Sequence, residues 1–100
     1  MTLIDQKLVV SRRFTVLIRV QQVSKTQRFP DGIKARYLLL DHELGKPRLL
    51  IDNHAPLGFH LHPELPDNHS KRTAIESQDY KTALTFFWKE VERVLKNEKD

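Results

Sequence analysis

One hundred residues, 39% of them hydrophobic and 30% charged, suffice for one domain with a single modest core and exclude a disordered chain. No apolar run approaches the roughly 20 residues needed to cross a bilayer, and the first ten residues, carrying Asp5 and Lys7, do not resemble a secretory signal. Zero cysteines exclude disulfides and thiolate metal sites. The expectation is one cytoplasmic domain over residues 1–100, with no membrane partner.

The formal net charge of +4 is unevenly placed: residues 1–50 hold ten Lys/Arg against four Asp/Glu, and residues 51–100 hold seven against nine. A basic half points to an anionic partner: nucleic acid, nucleotide or an acidic protein. The competing reading is ordinary solvated charge that keeps a sheet soluble.

Residues 7–11, Lys7-Leu8-Val9-Val10-Ser11, read as a short first strand. Over residues 13–21 the pattern alternates, with Phe14, Val16, Ile18 and Val20 on one face and Arg13, Thr15, Leu17, Arg19 and Gln21 on the other. Period two with β-branched enrichment is the mark of a half-buried strand. Pro30-Asp31-Gly32 has turn chemistry. Residues 33–41 resume the extended pattern, Ala35, Tyr37 and Leu39 against Lys34, Arg36, Leu38 and Leu40, and the second half is apolar on both faces.

Residues 42–47, with Gly45, form the next turn, and residues 48–53 the next strand, with Leu49 and Ile51 opposed to Arg48, Leu50 and Asp52. Short links predict an antiparallel meander, because a parallel crossover needs a dozen residues or more. Register permitting, Arg13, Arg19, Lys34, Arg36 and Arg48 share the face away from the core. Such a surface attracts phosphate and is screened by salt. Cations that merely guard edges and solubility are the alternative. Tyr37 alone makes no base-stacking platform.

Thr73-Ala74-Ile75 adds a brief extended piece, and Ser77 is the expected helix N-cap, with Glu76 and Asp79 near the positive helix end. From there Tyr80, Leu84, Phe87, Trp88, Val91 and Leu95 recur in steps of three and four, one buried helical stripe that Ala83, Phe86 and Val94 widen. Phe86, at the margin, fits either core packing or contact with a partner chain. The fold class is α+β: an antiparallel β-meander of about four strands with a C-terminal amphipathic helix packed on one face.

The chemistry concentrates in residues 51–72, where four of the five histidines and three of the five prolines lie between His54 and His69. His60 and His62, at i and i+2, share a side if the segment is extended. One reading is acid–base work near neutrality, with Lys71 and Arg72 stabilising charge as in a metal-independent ribonuclease. A second is a histidine-rich metal site drawn from His60, His62, His69 or His54 with Asp52 or Asp67. A third is phosphate recognition without chemistry. The bland reading is a polar turn-rich surface loop.

Arg12-Arg13 opening the long strand, Asp31-Gly32, Arg36-Tyr37 starting the next strand, Leu50-Ile51-Asp52-Asn53, His60-Leu61-His62 and the aromatic helix around Phe86-Phe87-Trp88 and Val91-Glu92 occur here in an order that resembles the TumE-type toxin family of prokaryotic toxin–antitoxin modules. The resemblance spans roughly residues 8–95, and Pro63-Glu64-Leu65-Pro66 stands where the family usually has a Gly-Asp pair. It implies a growth-inhibiting protein neutralised by a helix-turn-helix antitoxin, and no residue-level mechanism.

The residues supply the chemistry: a toxin acting on RNA, with His60 and His62 as the acid–base pair and Asp52 orienting an imidazole. Arg13, Arg19, Arg36, Lys71 and Arg72 then bind phosphate. No metal or cofactor is required, and a homo-oligomer is left open. The alternative is a non-catalytic module whose basic sheet docks nucleic acid or an acidic partner protein.

Overall fold

The computed structural model describes residues 1–54, 58–62, 73–74 and 79–97, with the side chains of His54, His62, Thr73 and Ala74 outside that set. Among these described residues six strands form one antiparallel sheet in the order β1-β2-β3-β4-β5-β6. They are β1 (Thr2–Val9), β2 (Phe14–Gln22), β3 (Ile33–Asp41), β4 (Lys46–His54), β5 (Gly58–His62) and β6 (Thr73–Ala74). One helix, α1 (Tyr80–Asn97), follows and packs over β3 and β4.

The α+β meander with a C-terminal helix is the fold expected from the alternation. The sheet is wider than four strands. β1 begins at Thr2 rather than residue 7, and β5 lies where a loop was expected.

The core follows the period of two. Ile18, Tyr37, Ile51 and Leu61 stand in successive cross-strand register, as do Val16, Leu39 and Leu49, and all are buried. On α1 the centre of the buried stripe is Ala83, Phe87, Val91 and Val94, with Tyr80, Leu84, Trp88 and Leu95 along its margins. Phe86 packs against the core from the side. Tyr37 joins sheet to helix: its ring lies 5.7 Å from that of Phe87 and 6.5 Å from that of Phe59. Its hydroxyl donates to the Tyr80 carbonyl at 2.8 Å. Burial, reinforced by Tyr80 and Asp79, pushes that hydroxyl far above the ordinary tyrosine range.

Asp79 caps the helix in the role expected of Ser77, which lies outside the described residues. Its carboxylate accepts from the Lys81 amide at 2.9 Å, and its carbonyl accepts from Ala83.

Two polar devices hold the sheet's ends. Asn53 is buried and reads the backbone of β3 with its side chain, accepting from the Ala35 amide at 2.6 Å and donating to the Ile33 carbonyl at 2.8 Å. At the opposite end Asp41 is 1% exposed and accepts five hydrogen bonds: two from Arg13, one from Arg48, and one each from the Glu43 and Leu44 amides. Burial alone would raise its pKa, but the bonds from Arg13, the Leu44 amide and Arg48 lower it from 3.8 to about 2.

Candidate anion-binding face of the sheet

Among the described residues one helix packs on the sheet, and outside the β3–β4 bulge the residues of opposite parity on β2 to β5 point away from it. Along this face, open at Arg19 and Arg36 but not at buried His60, one cross-strand row reads Asp5, Arg19, Arg36, Asp52, His60. The row beside it pairs Lys7 with Leu17, Leu38, Leu50 and position 62, and its three leucines are half-buried. Arg19 and Arg36 are directly opposed, and Gln21 opposes Lys34 in the pair next along. These four side chains line a concavity of about 130 Å³.

Asp5 reaches Arg19 at 3.7 Å and Asp52 reaches Arg36 at 3.6 Å. With the two arginine side chains 60% and 62% exposed, such pairs hold their partners loosely. The cations therefore remain available to an anion.

The five cations expected on one face do not share it. Arg13 and Arg48 are turned to Asp41, at 2.9 and 3.1 Å. Arg13 stands just before β2, where it also lies over the Phe14 ring. Arg48 is the extra residue of a β-bulge: Leu39 opposes Leu49 while Leu40 opposes Pro47. A strand end and a bulge are where parity stops dictating direction. Arg13 is thus part of the carboxylate clamp rather than of a phosphate surface. Arg19, Lys34 and Arg36 remain together as expected.

Asp52 and His60 stand opposite each other on β4 and β5, as their proposed partnership requires. His60, however, is 0% exposed, whereas a reachable rim was expected. Its Nδ1 lies 2.8 Å from the Gly58 carbonyl, and since a carbonyl only accepts, Nδ1 carries the proton. Position 62 opposes Leu50, and its side chain lies outside the described set. Lys71 and Arg72 lie outside the described residues, as do His69 and Asp67 of the metal reading. Among the described residues no three His, Asp or Glu side chains are grouped to hold a metal ion.

Sequence reasoning passed over His42, the one histidine outside the central stretch. Its Nε2 lies 2.6 Å from Thr15 Oγ1, and it lines a second concavity of about 400 Å³ with Ser11, Arg12, Arg13 and Glu43. The signal was the turn itself: Asp41 followed by Gly45, whose φ of 68° only glycine adopts readily. No protein-family model, no curated protein and no solved structure matches the chain.

Proposed function

We propose that the chain binds RNA through the phosphate backbone on the open face of its sheet, with Arg19, Lys34 and Arg36 as the contacting cations. The observation that carries this reading is the opposition of Arg19 and Arg36, two like charges across one strand pair beside Lys34, over a common concavity. Like charges in direct register repel, and a phosphate between them reverses the sign of that interaction. The described aromatics of the sheet, Phe14, Tyr37 and Phe59, belong to the helix-covered core, so stacking on bases contributes nothing on this face. Binding is therefore electrostatic and tolerant of sequence. With the resemblance to TumE-type toxins, RNA is the target through which the chain would arrest growth. A helix-turn-helix antitoxin is then the protein that would neutralise it.

Fluorescence anisotropy with labelled single-stranded RNA across a salt series tests this. The wild-type protein is expected to bind with a steep salt dependence. The triple variant R19A/K34A/R36A should bind more weakly, with the log–log slope reduced by about 2. Undetectable binding at low salt, or a triple variant with an unchanged slope, sinks the proposal.

A second reading, acid–base cleavage by His60 and His62, is favoured by one observation: Asp52 and His60 are in register on the face that holds Arg36. It requires the His60 ring to leave its bond to Gly58 and reach solvent. RNA shortened by the wild-type protein but left whole by a folded H60A variant would support it. Intact RNA under conditions of saturated binding rejects it.

A further inference from the structure

From the edge strand we infer that the protein forms a two-fold symmetric dimer in which β1 pairs antiparallel with β1 of a second copy, centred on Gln6. Among the described residues no strand pairs with the outer edge of β1. Seven of its eight residues are exposed, and α1 lies over β3 and β4, away from it. Of the exposed large apolar side chains, Met1, Leu3, Leu8 and Val9 lie in or beside this strand, with Leu44 the exception. A long edge that carries apolar side chains on both faces is a template for another strand.

The strand's own charges choose both the occupant and the register. An isologous antiparallel pair has its two-fold axis perpendicular to the sheet, which keeps each residue on its face. Only a residue, not a gap between residues, can then sit on the axis. From Ile4 to Val9 the strand is regular in its pairing with β2, the irregularity lying between Thr2 and Ile4. An axis through Asp5 opposes two carboxylates, and an axis through Lys7 opposes two ammonium groups. An axis through Gln6 opposes Asp5 to Lys7 of the partner and Lys7 to its Asp5, both on the open face. It also opposes Ile4 to Leu8 twice on the helix-covered face, where those residues stand in register with Val20 and Val16. One register satisfies charge and apolar contact together.

Sedimentation velocity over a series from micromolar to near-millimolar protein tests the inference, with circular dichroism confirming that each variant folds. The wild-type protein is expected to dimerise reversibly. D5K and K7D each convert two attractive pairs into two repulsive ones and should weaken the dimer by roughly 30-fold. The exchange D5K/K7D restores the complementary pairs and should restore the dimer. Q6K sets two ammonium groups across the axis without touching the partner of Arg19, and should also weaken it. A wild-type protein monomeric at every concentration overturns the inference. So do single variants that dimerise like wild type, or an exchange variant no better than the singles.

Discussion

Replacing Asp41 by Asn keeps the size of the side chain and removes its charge, at a position where three Arg13 and Arg48 bonds and two backbone amides converge. Oδ1 accepts from Arg13 Nε at 3.0 Å and from the Glu43 and Leu44 amides at 3.0 and 3.1 Å. Oδ2 accepts from one terminal nitrogen each of Arg13 and Arg48, at 2.9 and 3.1 Å. Every neighbour is a donor, so whichever way the amide is turned its nitrogen meets at least two of them. Two charge-assisted bonds are lost, less what Arg13 and Arg48 regain from water through side chains 16% and 22% exposed. The expected cost is about 3 kcal/mol at neutral pH. For a domain of this size that lowers the thermal midpoint by about 15 °C.

The pH dependence checks the same argument independently. Because the folded pKa of about 2 lies below the ordinary 3.8, the stabilisation is complete above the higher value and is lost as pH falls from 3.8 towards 2. It amounts to about 2 kcal/mol. Thermal unfolding of both proteins from neutral pH down to the most acidic buffer in which they fold should therefore show the gap between them narrowing by about 2 kcal/mol in that window. A variant within about 0.5 kcal/mol of wild type at neutral pH, or a gap that ignores pH, refutes the account of the clamp.

Two further tests concern the opposite end of the sheet. Asn53→Ala leaves the Ala35 amide and the Ile33 carbonyl without their partner and should cost about 1–3 kcal/mol. Faster hydrogen exchange at Ala35 than at the mid-strand amides is the local signature; unchanged exchange there rejects the role given to Asn53. Gly32→Ala places a Cβ 3.0 Å from the Val23 carbonyl oxygen at a φ of +73°, and should lower stability by about 1–2 kcal/mol. A neutral or raised thermal midpoint would mean the turn relaxes without strain.

What could be read from the residues was whatever one buried face dictates. β2, β3 and β4 carry buried side chains at every second position, and α1 carries them at three- and four-residue steps, so their patterns are visible in the chain itself. β1 is an exposed edge, and Asp5-Gln6-Lys7 interrupts the alternation that a one-sided strand shows. β5 is the instructive miss. Its histidines drew attention to chemistry, while Phe59 and Leu61, the alternate positions, are core residues in register with Asn53 and Ile51. The clamp was out of reach because Asp41 and Arg13 are 28 residues apart. Only the bulge at Arg48, a tertiary feature, turns that second cation towards the carboxylate.

The order of charges across the open face bears on the proposed binding. A row selected for stability alone would alternate in sign, so that each charge has an opposite neighbour on both sides. The row here runs negative, positive, positive, negative, with Asp5 and Asp52 on the outer flanks of Arg19 and Arg36. Each acid engages its cation from outside, at 3.7 and 3.6 Å, and Arg19 and Arg36 remain opposed in register across the β2–β3 pair. Lys34, one pair further along, adds to the same side of the imbalance. The acids offset the repulsion enough for the sheet to form without filling the gap between the cations. That gap coincides with the concavity, and under the proposed function it is where a phosphate would sit.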